Sequence, residues 1–292
     1  MRRLVLLILA LATLLPSLAQ AYDVLILQSR RDPAYEEVLK GFRAQRRLSE
    51  RVITLSDYAD ADITRIVRED QPSLVLTLGD SALSAARKLR QTPVIALMSL
   101  AVHNLKGADN ISGIGMYASV ERYLKLFQGM KTRRVGVIHN PAKSGWYLQE
   151  ARQAAQEAGI ELAVREVRNP RDTLAQLASL AGKVDGLWML PDSTAVTRET
   201  AEAYFRFAQE QNVPLASFAV AYLGLGAAAV VEIDRVNLGR QASDMAVSVL
   251  NGANERSISK PGKTTLKANP SVLKHLGIPS SHLGASANGS SE

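Results

Sequence analysis

Short polar side chains end several apolar segments of this chain, and two sets of them recur at one fixed distance. Gln28 and Asn140 each end an apolar run, and they are 112 residues apart. The pairs Asp80-Ser81 and Asp192-Ser193 also end apolar runs and are separated by the same 112 residues. Carboxylate, hydroxyl and amide groups of this kind bind small polar molecules through hydrogen bonds and ion pairs. A period this long predicts a duplicated domain, because solenoid repeats are only about 20–50 residues long.

The residues that enzymes use most often do not form a recognisable catalytic pattern in this sequence. The chain contains no cysteine, and its four histidines (His103, His139, His275 and His282) lack the spacing of metal ligands. There is no Gly-x-Ser-x-Gly elbow for a serine nucleophile and no glycine-rich phosphate loop with its lysine. We therefore predict binding without turnover, with no catalytic residue, no cofactor and no metal.

The candidate ligand-binding residues are those expected at the carboxyl ends of strands. Ligands of open parallel sheets bind there, beside helix N-termini that carry partial positive charge. The set comprises Gln28, Ser29, Asp80, Ser81, Ser99, Asn140, Ser144, Trp146, Asp192, Ser193, Ser217, Phe218 and Asp234. Trp146 or Phe218 would cover an apolar part of the ligand. A structural alternative stays open for most of the polar members, as helix N-caps or as loop residues that hydrogen-bond locally.

Apolar segments of strand length alternate with segments of helical periodicity along the chain. Strands are predicted at 23–28, 51–55, 73–79, 93–98, 134–139, 160–167, 184–190, 214–218, 226–233 and 264–267. Helices are predicted at 33–47, 62–70, 81–90, 120–130, 145–158, 172–180, 197–211, 238–250 and 270–276. Near-continuous apolar strands separated by helices indicate parallel sheets covered on both faces. The predicted fold class is α/β, with two doubly wound parallel-sheet lobes joined by a hinge.

The ends of the chain predict export and a short tail. Met1-Arg2-Arg3, the apolar stretch 4–15 and Ala19-Gln20-Ala21 form the three parts of a cleavable signal peptide over residues 1–21. We expect a soluble periplasmic protein that begins at Tyr22. Its first lobe would contain 22–116 and about 235–255, and its second lobe 117–234 and about 262–278. Residues 279–292 are predicted to be disordered because Ser, Gly, Ala and Asn dominate them.

The positive charge of the chain is scattered. The formal net charge is +7, and the densest cluster, Arg43, Arg46, Arg47 and Arg51, falls on a predicted helix and its end with few aromatic residues among it. This arrangement is typical of a solvated helix face, and we expect no binding of nucleic acid.

The order and spacing of several segments resemble the ABC-transporter substrate-binding proteins of the periplasmic type I fold, in the branch that includes tryptophan and other aromatic amino-acid binders. The segments that carry the resemblance are 24–28, 134–141, 181–187, 212–217 and 232–242. The resemblance implies two lobes that close on a ligand, with the helix after Asp234 returning to the first lobe. It also implies that an ABC permease in the inner membrane transiently binds the closed form. We expect a monomer.

The resulting hypothesis is capture of a small polar metabolite, an amino acid or a related compound, by hinge closure. Helix N-termini and serine hydroxyls would hold its carboxylate, and Asp80, Asp192 or Asp234 its ammonium group. On this view Asp192→Ala weakens binding and leaves the melting temperature nearly unchanged. Two alternatives stay open: a ligand sensor that docks on a signalling receptor, and a periplasmic enzyme on the same scaffold.

Overall fold

The computed structural model describes residues 22–45, 47–105, 107, 109–252 and 257–283. The predicted signal peptide, Arg46 of the arginine cluster and residues 284–292 of the predicted tail lie outside the described residues.

The first lobe contains a six-stranded sheet in which all strands are parallel. Its elements in chain order are β1 Val24–Gln28, α1 Pro33–Gln45, β2 Glu50–Thr54, α2 Ile63–Asp70, β3 Leu74–Leu78, α3 Asp80–Ala86, β4 Val94–Leu97 and β5 Ile111–Ile114. The strand order is β11-β5-β4-β3-β1-β2, where β11 is the late strand Ile258–Ser259. Strands β1 and β3 are buried along their whole length, as the unbroken apolar runs predict for central parallel strands.

The second lobe repeats this architecture. Its elements are α4 Val120–Gly129, β6 Arg134–His139, α5 Pro141–Glu157, β7 Glu161–Glu166, α6 Asp172–Ala178, β8 Gly186–Trp188, α7 Arg198–Glu210, β9 Leu215–Ser217, β10 Ala229–Ile233, β12 Thr264–Ala268 and α9 Pro270–His275. The strand order is β12-β10-β9-β8-β6-β7. Strand β12 runs antiparallel to β10, whereas the other pairs are parallel. The two matching strand orders confirm the predicted α/β fold of two doubly wound lobes.

The chain passes between the lobes three times, after β5, after β10 and after β11. The helix after the second passage, α8 Arg235–Leu250, returns to the first lobe and packs along α1. Apolar residues on both faces of each sheet form the cores, with α1 and α8 on one face of the first sheet and α4 and α5 on one face of the second.

The strand pairings show that the repeat is not uniform. Val24 of β1 pairs with Glu50 and Leu74, whereas Val135 of β6 pairs with Leu162 and Gly186. The neighbouring strands are therefore 112 residues apart, but β1 and β6 are 111 apart. Consequently Gln28 corresponds to His139, and Ser29 corresponds to Asn140. The predicted equivalence of Gln28 and Asn140 is wrong by one residue.

Several boundaries differ from the sequence-based expectation for identifiable reasons. Helix α5 begins at Pro141 and not at residue 145, because Asn140 caps its N-terminus and proline suits the first helical position. Strands β5 and β11 were not predicted, since both are short and β5 contains glycine. The predicted disorder does not hold for residues 280–283, which form a 3-10 turn because the side chain of Leu283 is buried against α4.

Candidate functional site

The loops that follow the strand ends of the two lobes contact each other. The Tyr117 hydroxyl, after β5, donates a hydrogen bond of 3.0 Å to the carbonyl of Pro191, after β8. His103, after β4, lies against Trp146 on α5. Carboxyl ends of parallel strands are where ligands of such sheets bind. The crevice lined by these loops is therefore the candidate site.

Asp192 is the centre of a buried network in the second lobe. Its carboxylate accepts four hydrogen bonds: from the Ser144 hydroxyl (2.6 Å) and from the backbone N–H groups of Asn140 (2.8 Å), Thr194 (2.9 Å) and Ala195 (3.0 Å). Only 1% of the residue is exposed. Because both carboxylate oxygens already accept two bonds each, Asp192 joins the end of β8 to the β6–α5 turn and has no oxygen to spare for a ligand.

Asn140 and Ser144 complete that network. The Asn140 Oδ1 accepts from the Ala142 N–H (2.9 Å) and caps α5, while its Nδ2 donates to the Thr194 hydroxyl (3.0 Å). Ser144 is fully buried on the first turn of α5. The structure therefore brings Asn140, Ser144 and Asp192 together as predicted, but it engages their polar groups with one another. Ser193 beside them is exposed.

Asp80 has a different environment although it stands at the same place in the repeat. It is exposed at the start of α3, and its Oδ1 accepts from the buried Ser99 hydroxyl and from the Ala101 N–H (3.2 Å). Among the described residues no partner contacts its Oδ2. Asp80 is therefore the carboxylate of this pair that can accept hydrogen bonds from a bound molecule.

Ser29 and Gly79 shape the same edge of the first lobe. The Ser29 hydroxyl accepts from the Ala82 N–H at 2.9 Å. Gly79 has a φ of +91°, and a Cβ there would lie 2.2 Å from the Tyr35 hydroxyl and 2.6 Å from the Ser29 hydroxyl. Only glycine leaves room for these two groups beside the start of α3. Ser81, one residue after Asp80, is exposed.

Trp146 is enclosed by aromatic rings from both lobes. The His103 imidazole stacks on its indole with 3.9 Å between ring centroids and 26° between planes, and the Tyr117 ring meets it edge-on at 5.1 Å. The indole Nε1 is buried without a hydrogen-bond partner among the described residues. The predicted cover for a ligand is thus engaged in a contact between the lobes.

Four other predicted residues lie apart from these contacts. Gln28 is buried, accepts from the Thr54 hydroxyl at 3.4 Å and lines a groove between β2 and α1. The Ser217 hydroxyl is buried against the sulfur of Met189 at 3.1 Å. Phe218 is half-buried with Tyr222 edge-on at 5.3 Å.

Asp234 has a structural role at the second passage between the lobes. It caps α8 by accepting from the Asn237 N–H at 2.9 Å, and it pairs with the Lys263 ammonium at 3.1 Å. Partial burial acts to raise its pKa, but the Asn237 N–H and Lys263 outweigh this and the pKa is lowered. The side chain is therefore charged and already paired.

Two residues at the crevice were not among the predicted site residues. His103 has its pKa lowered to about 4 by burial, so its imidazole is neutral at ordinary pH. Burial, followed by the charges of Asp192 and Asp80, raises the pKa of Tyr117, which keeps its hydroxyl proton and donates it to Pro191. Tyr117 lies in a predicted lobe crossing, which is a usable sequence signal. Nothing in the sequence distinguishes His103 from an ordinary loop histidine.

The sequence profile of the family described as ABC transporter substrate binding protein matches residues 59–284. The chain belongs to this family. This confirms the predicted family. Among the described residues of this substrate-binding protein, no helix combines the length and the apolar character needed to cross a membrane.

Comparisons with individual proteins agree with this assignment. A tyrosine-binding protein of Clostridioides difficile (strain R20291) is 25% identical over 177 residues, which are 59% of this chain and 51% of that protein. The match thus spans about half the length of this curated relative.

Solved structures share the fold. A domain from Streptococcus pneumoniae in complex with L-Trp superposes with a TM-score of 0.68 at 19% identity, covering 90% of this chain and 98% of that one. The ligand-free, open structure of a substrate binding protein with adhesive properties from Clostridium difficile gives 0.66 at 20% identity, covering 89% and 96%. A periplasmic ribose ABC transporter protein from Conexibacter woesei gives 0.58 at 15% identity, covering 91% and 98%. These likenesses confirm the periplasmic type I binding-protein fold.

Proposed function

We propose that this protein is the periplasmic solute-binding component of an ABC importer and that it captures an amino acid between its lobes by hinge closure. The observation that carries the proposal is Asp80, an exposed carboxylate with one unused oxygen at the crevice where strand-end loops of both lobes meet. A ligand shifts the lobes towards closure only if it binds the closed form better, that is, if it contacts both lobes.

The ligand class follows from the charges available on each side. Asp80 binds the ammonium group, because Asp192 is saturated with hydrogen bonds and Asp234 is paired with Lys263. The carboxylate lies at the second lobe, near the exposed Ser193 and the N-terminus of α5, whose helix dipole favours negative charge. The relatives support an aromatic amino acid, since one is named for tyrosine and another is in complex with L-Trp.

The proposal also covers location and partners. Residues 1–21 direct export and are removed, the mature protein is a monomer, and its closed form is bound by the permease. No turnover of the ligand is involved. Fractionation of cells with N-terminal sequencing that begins at Tyr22, and a monomeric mass in solution, are the expected results.

Isothermal titration calorimetry with the twenty amino acids tests the central claim. We expect at least one aromatic amino acid to bind with about micromolar affinity, or about 8 kcal/mol. Asp80→Asn keeps the shape of the side chain but removes its charge, and it should weaken binding at least about tenfold, the scale of one charge-assisted hydrogen bond. Asp244→Asn, an exposed carboxylate on α8, is the matched control. Equal affinity of Asp80→Asn and the native protein would remove Asp80 from the site, and the absence of binding by every amino acid would refute the ligand class.

A further inference from the structure

One face of helix α5 makes three separate contacts with the rest of the molecule across the crevice. The carbonyl of Lys143 accepts from the Asn104 side-chain amide at 3.2 Å, Trp146 stacks on His103, and Glu150 pairs with Lys260. Residues 143, 146 and 150 are spaced by three and four positions and therefore lie on the same side of the helix.

The opposing surface comes from the first lobe and the last passage between the lobes. His103 and Asn104 end the 3-10 turn Ala101–Asn104, and Lys260 follows β11 directly. Ala101 is held in turn by the Asp80 carboxylate through its N–H. The turn that contacts α5 is therefore anchored to the candidate ligand-binding carboxylate.

His103 fits a space that the first lobe leaves for it. A Cβ at Gly115 would lie 2.2 Å from the His103 Nε2, so only glycine at this position admits the imidazole. The ring is enclosed by Gly115 of its own lobe on one side and by the Trp146 indole of the second lobe on another. Tyr117 approaches both rings edge-on, at 6.0 Å from His103 and 5.1 Å from Trp146.

We propose that these three contacts form a latch that holds the two lobes together before any ligand binds. The latch consists of the pairs His103–Trp146, Asn104–Lys143 and Lys260–Glu150. Its contacts join residues of the chain itself, so closure does not depend wholly on a ligand that bridges the lobes. The stacked His103 also occupies one face of Trp146, so a ligand ring does not stack on that face.

The latch regulates the crevice that the proposed function assigns to ligand, and this consequence rests on that function. When only one conformation binds, the apparent dissociation constant is the intrinsic one divided by the populated fraction of that conformation. A latch that populates the closed form therefore tightens ligand binding although it does not contact the ligand. Weakening the latch lowers the affinity through the closed fraction alone.

Distance measurement between two spin labels tests the latch in the absence of ligand. The chain has no cysteine, so Ser56→Cys after β2 and Arg168→Cys after β7, both exposed, place one label in each lobe without further changes. In the unmodified background we expect one dominant, short distance. His103→Ala removes the stack, and a ring contact of this kind changes the ratio of closed to open molecules by about three- to tenfold. His275→Ala, an exposed histidine on α9, should leave the distances unchanged.

Two further variants keep the result interpretable. Lys260→Gln breaks the exposed ion pair with Glu150 without touching a core, and it should also enlarge the open fraction. His103→Phe retains a stacking ring and should restore closure relative to His103→Ala. The latch is refuted if the ligand-free protein is mainly open, or if His103→Ala and Lys260→Gln both leave the distances unchanged. Since no ligand is added, a failed search for amino-acid ligands does not affect this outcome.

Discussion

Gly41 of α1 and Gly239 of α8 each lie against the backbone of the other helix. A Cβ at Gly41 would be 1.9 Å from the Val236 carbonyl oxygen, and a Cβ at Gly239 would be 1.9 Å from the Val38 carbonyl oxygen. The two helices therefore pack closer than any side chain would permit. Because α8 enters the first lobe only after the chain has built most of the second, this contact attaches the returning helix to its lobe.

Substitution of alanine at Gly239 should destabilise the protein. The added methyl group forces α1 and α8 apart, and overpacking of this kind costs about 1–3 kcal/mol. Urea unfolding followed by circular dichroism measures the change. Gly145→Ala in α5 is the control, because the nearest atom to its Cβ is 3.9 Å away, and alanine there should stabilise the helix by about 0.5–1 kcal/mol. Equal stability of the two variants would contradict the close packing.

Removal of the Asp192 carboxylate should lower stability as well as alter binding. Asp192→Ala leaves the donors of Asn140, Ser144, Thr194 and Ala195 without their acceptor in a buried place. We expect a loss of about 2–4 kcal/mol and a lower melting temperature, since each unsatisfied buried group costs about 1–3 kcal/mol. This revises the sequence-based expectation of an unchanged melting temperature.

A comparison with the first lobe provides the control for Asp192. Asp80→Asn affects an exposed side chain with two hydrogen bonds and should cost about 1 kcal/mol or less. Differential scanning calorimetry on both variants separates the two roles. A smaller loss for Asp192→Ala than for Asp80→Asn would show that the buried network does not stabilise the second lobe.

Lower pH should open the latch. Burial lowers the pKa of His103 to about 4, whereas exposed histidine titrates near its ordinary value of 6.5, with Glu150 acting to raise the pKa and Lys260 to lower it. Between these two values the open form binds the proton more tightly, so the closed fraction falls as pH decreases from about 6.5 to about 4 and is constant above that range.

The spin-label distances measured at pH 7.5 and pH 5 check this dependence. His103→Phe cannot take up the proton and should show the same distances at both values. His139, whose pKa is also lowered by burial, lies within the second lobe and keeps its surroundings when the lobes separate. A pH response that persists in His103→Phe would assign the effect to another group.

The sequence by itself determined the element order, the doubling of the lobe and the edge of each sheet at which polar groups collect. Long apolar strands, helical periodicity and residues such as Asn140 and Pro141 at a helix start are local signals, and local physics fixes what they form. The short strands β5 and β11 were missed because they have little such signal and exist only by pairing with β4 and each other.

Only the tertiary structure decided what the repeated polar residues do. Asp80 and Asp192 occupy equivalent positions, yet one is exposed with a free oxygen and the other is saturated, because Asn140 and Ser144 lie beside Asp192 and have no counterpart around Asp80. The offset of 111 residues between β1 and β6 is a matter of strand register, and the stacking of His103 on Trp146 depends on how two lobes meet. Contacts between residues far apart in sequence leave no periodicity in the chain, so the fold could be predicted where the partners of its polar groups could not.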